Sequence, residues 1–277
     1  MLNRSMQLGA SVSGKYLYKY VAFDDDLNVL KVLTENKVRF SAPAAFNDPF
    51  DCNPSYISGA NPQKQRPDLF SLIRAEGGPA NKMRVRAQAK NKVEQAFKSG
   101  EFQAASMLNV GVLSLSRNPW HVLMWSHYAR HHTGFLIEFW QPEVLPIASV
   151  VEANRYLITF PVNYVLARPK VDKWTRDIKE DVEKIFMSKS MEWKYEEEER
   201  AVDYLLGPGA REFEPTLLKS IVAGANISEL HMDMLKCAVK AFNKRWNSRV
   251  ELFKARIDDR QYKLLIPNFH RKRIITL

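Results

Sequence analysis

Residues Lys15 to Ala22 (KYLYKYVA) alternate aromatic and polar side chains, the period of two that suits a half-buried strand. From Asp25 to Asn36 the pattern changes to that of a helix, with acidic residues at its start and Leu27, Leu30, Val32 and Leu33 on one side. A short strand follows at Val38 to Ser41 and runs into Pro43 and the loop Phe46-Asn-Asp-Pro-Phe-Asp51. Residues 59 to 80 hold Gly, Pro, Asn and Gln without periodicity and read as a loop enclosing one short helix around Leu69 to Ala75. Asn81 to Leu108 is helical and basic, so residues 59–108 read as a basic helical insertion.

Beyond it the pattern predicts a strand at Val110 to Ser116, a short helix at Val122 to Arg130 and a strand at Gly134 to Trp140. A strand at Ile158 to Val165, a long amphipathic helix at Val171 to Glu192 and a β segment at Glu198 to Leu205 come next. The last part, Leu217 to Gly224, Glu229 to Trp246 and Arg249 to Ile257, reads as strand, helix, strand. Strands separated by irregular lengths of helix and loop indicate an α+β sheet in a single domain, residues 1–277, rather than a regular doubly wound fold. Residues 258–277 form a basic C-terminal tail.

Composition narrows this picture. With 277 residues, 45% of them hydrophobic, the chain can bury a sizeable core. Neither a membrane span nor a secretory leader is legible, which predicts a cytoplasmic protein without a membrane partner. The two cysteines, Cys52 and Cys237, lie far apart and fit a reduced compartment. A net charge of +10 draws polyanions: nucleic acid, an acidic protein or a phosphorylated cofactor. Much of the excess lies between Lys64 and Lys98 and in His270, Arg271, Lys272 and Arg273, segments that read equally as solvated faces.

Candidate chemistry gathers in four short motifs. In Ser41 to Asp51, prolines fix φ while Asn47 and Asp48 can bond nearby amides, giving a rigid polar loop or an Asx-turn that only ends the strand. Ser114 and Ser116 fall on one face of a strand and leave room for a flat ligand, although alternating Ser/Leu strands are common. Met124 to Ala129 clusters Trp125, His127 and Tyr128 on one helical turn, for which a core role with a locally satisfied histidine is the plainer reading. Trp193-Lys-Tyr-Glu-Glu-Glu-Glu-Arg200 is the most informative. In a strand Glu196 and Glu198 share a face, and a buried carboxylate pair needs a compensating reason, whereas a solvated helix end does not.

Together FNDPFD, MWSHYA and Trp-x-Tyr-Glu-x-Glu-x-Arg resemble, across Tyr16 to Ile257, a family of bacterial and phage proteins that carries no settled activity. The chain is also similar to the ADP-ribosyltransferase superfamily, whose motifs occur in the order first strand, Ser-x-Ser and Glu-x-Glu. Here that order is met by Leu17-Tyr18-Lys19-Tyr20, Ser114-Leu-Ser116 and Glu196-Glu-Glu198, with Lys19 standing where the superfamily has Arg or His.

This resemblance implies a split, mostly antiparallel central sheet with helical insertions, and NAD as substrate without a metal. It implies catalytic roles for Glu198, which faces the oxocarbenium-like charge, and Glu196, which orients or deprotonates the acceptor. Cofactor contacts are implied for Tyr18, Lys19, Tyr20, Asn47, Asp48, Ser114, Ser116, Tyr128 and Arg200, the last bonding a carboxylate or a phosphate. The basic surface adds RNA or DNA as acceptor. A toxin or phage-defence role follows from the same likeness and leaves room for a neutralising partner protein. Two other readings stand beside it: a non-catalytic nucleic-acid-binding module, and a hydrolase or nuclease holding Mg²⁺ with Asp48, Asp51, Glu196 and Glu198.

Overall fold

The computed structural model describes residues 13–57, 67, 78–100, 107–143, 149–172 and 178–269. The N-terminal half holds strand β1 (Gly14–Val21), helix α1 (Lys31–Thr34), strands β2 (Lys37–Phe40) and β3 (Ser55–Ile57), helix α2 (Pro79–Ser99), strand β4 (Gly111–Ser116), helix α3 (Val122–Tyr128) and strand β5 (Phe135–Pro142). Then come helix α4 (Val150–Arg155), strands β6 (Phe160–Pro161), β7 (Asn163–Val165) and β8 (Lys170–Asp172), helix α5 (Ile178–Phe186) and strands β9 (Ser188–Ser190) and β10 (Glu198–Asp203). The chain ends in strands β11 (Gly209–Glu212) and β12 (Leu218–Ala223), helix α6 (Glu229–Trp246) and strands β13 (Glu251–Lys254), β14 (Arg256–Ile257) and β15 (Leu264–Leu265).

The fold is α+β. A seven-stranded sheet runs in the order β13-β12-β5-β1-β4-β10-β6, antiparallel throughout except for the parallel pair β12/β13. Smaller pairs β2/β11, β3/β8, β7/β9 and β14/β15 flank it. The alternation of β1 places Leu17 and Val21 in one core layer and Tyr18 and Tyr20 in the other. The first layer packs the sheet against α6 through Leu235, Val239 and Phe242. The second packs it against α3 through Met124 and Trp125, with Leu264 and Phe269 over the same face. No helix among the described residues is long and apolar enough to cross a membrane.

One seam of the sheet is open. β1 pairs with β5 along its length, from Gly14↔Pro142 to Val21↔Phe135, and β4 pairs with β10 from Glu198↔Ser116 to Asp203↔Gly111. Between β1 and β4, among the described residues, the ladder is reduced to Tyr18↔Ser116. Side chains bridge the rest: Lys19 Nζ donates to the Ser114 carbonyl at 3.3 Å and Tyr20 Oη to the Asn118 carbonyl at 2.6 Å. These two carbonyls gain side-chain donors where the strands part.

Several predicted elements are redrawn. The helix over Asp25 to Asn36 shrinks to a 3₁₀ turn at Asn28–Leu30 followed by α1, because Leu27 adopts the left-handed conformation (φ 53°) and interrupts the turn. The long helix over Val171 to Glu192 is replaced by β8, α5, β9 and a 3₁₀ helix at Met191–Glu196. There, pairing of Ser188–Ser190 with β7 outcompetes helical continuation and buries Lys189. Ile158 to Val165 divides at Val162 into β6 and β7, which join different sheets. Arg249 to Ile257 divides at buried Ala255, whose N–H bonds the Ala223 carbonyl. The basic stretch forms α2 and stops at Gly100, a left-handed C-cap (φ 79°). The short helix around Leu69 to Ala75 and the cluster His270 to Arg273 lie outside the described residues.

Candidate active site

The loop after β2 begins with a 3₁₀ turn at Pro43–Ala45 and then divides its polar residues between two tasks. Asp48 accepts the Phe50 N–H at 2.9 Å, which is the Asx-turn reading, and it does not line the cavity described below. The expectation that Asp48 holds a ribose is therefore corrected: its carboxylate is turned into the loop. Asp51 takes the place in the site instead, and Asn47 Nδ2 reaches the Tyr128 hydroxyl at 3.4 Å.

β4 contributes Ser114 and Ser116 to one side, and its register with β10 sets Ser114 opposite Arg200 and Ser116 opposite Glu198. Ser114 lines the same cavity as Glu198, whose carboxyl it helps to hold low. Ser116 is 2% exposed and ties the strand end to its neighbour by donating to the Glu196 carbonyl at 2.6 Å.

The carboxylate pair is built by a backbone feature that strand parity does not anticipate. Glu196 ends the 3₁₀ helix, Glu197 is left-handed (φ 46°, ψ 49°), and Glu198 opens β10. The kink at Glu197 sends its own side chain outward to Asn118 Nδ2 (2.9 Å) and lets Glu196 and Glu198 line the same cavity. The pair faces one way, as expected, but Glu196 is not a strand residue. Glu199 points to the other face of the sheet, where Thr159 donates to it at 2.6 Å and Lys15 pairs with it.

Two buried cations bind the acids together. Lys189 Nζ bonds Glu196 Oε2 at 2.5 Å and Glu198 Oε2 at 2.9 Å, with Asp51 Oδ2 at 3.5 Å. Arg200, 0% exposed, uses all five guanidinium N–H groups. Nε donates to Glu198 Oε1 (2.8 Å), and Nη2 to Glu198 Oε2 (2.9 Å) and Asp51 Oδ2 (2.6 Å). Nη1 donates to Asp51 Oδ1 (2.8 Å) and the Phe186 carbonyl (2.8 Å). With no donor left and no cavity surface, Arg200 meets the carboxylate alternative of its expectation, bonding Glu198, and not the phosphate one. Tyr128 completes the chain by donating to Glu196 Oε1 at 2.6 Å.

These contacts set the protonation states. Burial alone would raise Glu198, but the charges of Arg200 and Lys189 and hydrogen bonds from Arg200 and Ser114 hold its carboxyl at about 2. Glu196 moves the other way: burial raises it and the Glu198 charge adds to the rise, against the pull of Lys189 and Tyr128. Lys189 would be lowered by burial, yet Glu198, Glu196 and Asp51 raise it above the ordinary lysine value. Burial pushes Lys19 down to about 8, partly offset by Glu198. Three carboxylates against Lys189 and Arg200 leave one negative charge, which Lys19, also lining the cavity, faces.

The open seam and these groups enclose a cavity of about 260 Å³. Tyr18, Lys19 and Tyr20 line it from β1, and Ser114 and Ser116 from β4. Asn47, Tyr128, Glu196 and Glu198 close it from the loop, α3, the end of the 3₁₀ helix and the start of β10. Of the residues expected in the site, Asp48 and Arg200 stand apart from the cavity wall, while Asp51, expected only in the hydrolase reading, and Lys189, not expected at all, line it. Lys189 had one legible signal, the demand of a buried carboxylate pair for a counter-charge, but a segment read as helix gave no reason to choose that lysine. His127 is exposed, and His132 is half-buried against Ser126, 3.3 Å away.

Among the described residues no group of three His, Cys, Asp or Glu is arranged to hold a metal ion. Where a cation would sit between Asp51, Glu196 and Glu198, the Lys189 ammonium sits. Compared with protein-family models, with curated proteins and with solved structures, the chain matches none of them.

Proposed function

We propose that the protein transfers ADP-ribose from NAD to a macromolecular acceptor, with nucleic acid as the acceptor class and the cavity at the β1/β4 seam as the reaction site. The observation that carries this reading is convergence. Tyr18 to Tyr20, Ser114 to Ser116, and Glu196 with Glu198 come from segments distant in sequence, yet they meet around one cavity, in a sheet that parts between the first motif and the second. The volume suits the nicotinamide and its ribose, with the rest of the dinucleotide outside.

In this reading the bond from the ribose anomeric carbon to the nicotinamide nitrogen breaks, and nicotinamide leaves with the electron pair. Positive charge develops on the ribose, and a preorganised carboxylate of the Glu196/Glu198 pair stabilises it in a site shielded from water. Tyr20 and Tyr128 offer ring surface to the nicotinamide, Ser114 shapes its pocket, and Asn47 lies where a ribose hydroxyl can bond. The acceptor class rests on charge: the chain carries +10, and α2 exposes Lys82, Arg84, Arg86, Lys92 and Lys98 to phosphates. A toxin or phage-defence role belongs to this proposal as its biological consequence.

The test is incubation of the purified protein with labelled NAD and separate pools of RNA, DNA and cell protein, in chelator. Label in a nucleic-acid pool is the expected result, and label in protein alone would move the acceptor class. A folded protein that neither transfers label nor binds NAD would overturn the reading in favour of a non-catalytic nucleic-acid-binding module, which the exposed basic helix α2 also fits.

A further inference from the structure

The two glutamates lining the cavity are equally buried, at 3% and 4% exposure, but they are not equally free. A carboxylate offers about four lone-pair positions. Glu198 receives three charge-assisted bonds, Arg200 Nε on Oε1 and Arg200 Nη2 and Lys189 Nζ on Oε2. Glu196 receives Tyr128 Oη on Oε1 and Lys189 Nζ on Oε2. Among the described residues, Glu198 is held on both oxygens by Arg200, while Glu196 keeps two positions open beside the cavity.

We infer that Glu196, and not Glu198, is the carboxylate that touches the reacting ribose, and that Glu198 is a positioning residue fixing Lys189 and Arg200 beneath it. This deepens the reading above and rests on it, while reversing the roles that the order of the Glu-x-Glu motif implies. A ribose hydroxyl bonded through Glu198 would compete on each oxygen with a charge-assisted donor from Arg200, joined on Oε2 by Lys189, at a cost the reaction would have to recover. Glu196 can accept the same hydroxyl without loss.

The step then balances at Glu196. The carbon–nitrogen bond to nicotinamide breaks and nicotinamide leaves neutral. The acceptor lone pair forms the new bond to the anomeric carbon, and the acceptor proton passes to the Glu196 carboxylate. The elevated proton affinity that burial gives Glu196 suits it to that transfer, whereas the charges of Arg200 and Lys189 keep Glu198 ionised. Tyr128 holds Glu196 from α3 and Lys189 holds it from β9, so the carboxylate is oriented without being filled.

The experiment compares wild type, Glu196→Gln, Glu196→Asp and Glu198→Gln for NAD turnover, KM, pH profile and Tm. Glu196→Gln is expected to lower kcat about 100-fold or more, with KM for NAD and Tm little changed, and to abolish the acidic limb of the pH profile. Glu196→Asp should restore part of the rate. Glu198→Gln is expected to lower Tm strongly while keeping kcat within about tenfold below that temperature. A folded Glu198→Gln protein that is less active than Glu196→Gln would overturn the inference and leave the reading standing. If Glu198→Gln does not fold, Glu196→Gln decides alone, and a wild-type kcat in it overturns the inference. A wild-type protein that does not turn over NAD ends both together.

Discussion

Arg200 shows how a single residue can be essential to a site without facing its ligand. Its guanidinium joins Glu198 from β10 to Asp51 from the loop after β2, so the loop is fixed in the presence of the carboxylate pair. The same contacts make stability depend on pH. The folded Glu198 carboxyl sits at about 2, below its ordinary 4.5, so its contribution is complete above the unfolded value and lost as pH falls toward 2. The shift corresponds to about 3 kcal/mol. Glu196, raised on folding, acts in the opposite sense and offsets part of the loss. Urea unfolding at pH 7, 5 and 3 should show a steep fall below pH 5 that Glu198→Gln abolishes. Tyr128 supports Glu196 more gently. Tyr128→Phe removes a hydrogen bond to the ionised carboxylate and should move the acidic limb of the activity profile upward by about one pH unit, with Tm little changed.

At the scale of elements, the kink between the 3₁₀ helix and β10 sets the spacing of the pair. Left-handed backbone at a non-glycine residue costs roughly 1 kcal/mol, and at Glu197 it persists because its N–H bonds the Lys194 carbonyl while its carbonyl accepts the Arg117 N–H. Glu197→Gly keeps that geometry available, so Tm should stay within about 2 °C and NAD turnover within about threefold. A large loss of turnover would show that the Glu197 carboxylate itself works in the reaction, and kinetics on the purified variant would read it directly. The seam between β1 and β4 is the second element-scale device. A strand pair joined at Tyr18↔Ser116 and bridged by Lys19 and Tyr20 leaves a cleft in the sheet where a complete ladder would leave none. β4 is held at its other end by close backbone packing, since a Cβ on Gly111 would lie 2.3 Å from the Gly207 carbonyl oxygen.

For the whole molecule, charge and site act at different ranges. The cavity is close to neutral once Lys19, Lys189 and Arg200 are set against Asp51, Glu196 and Glu198, so the +10 excess acts outside it. Salt should therefore weaken the macromolecular acceptor more than NAD. Raising salt from 50 to 200 mM is expected to raise the KM for a nucleic-acid acceptor at least tenfold, with the KM for NAD within about twofold. Replacing Lys82, Arg86 and Lys92 together by alanine should reduce that salt dependence. Equal salt sensitivity for both substrates would remove the charged surface from the account of the acceptor.

The sequence by itself determined those elements in which local pattern and tertiary demand agree. The alternation in KYLYKYVA gave β1, the hydrophobic run at Val110 to Ser116 gave β4, and Glu229 to Trp246 appears as α6 between the same residues. It also marked FNDPFD, Ser-x-Ser and the glutamate run as unusual, because prolines, paired hydroxyls and adjacent acids need a reason wherever they are buried. Only the tertiary structure decided which of those residues share a charge. Asp51 replaced Asp48, Lys189 emerged from a segment patterned as helix, and Arg200 turned inward, because ion pairing is satisfied between residues as far apart as 51 and 200. The difference between Glu196 and Glu198 is of the same kind. Both are glutamates two positions apart, and their bonding separates only when Arg200 of β10, Lys189 of β9 and Tyr128 of α3 have taken up their lone pairs.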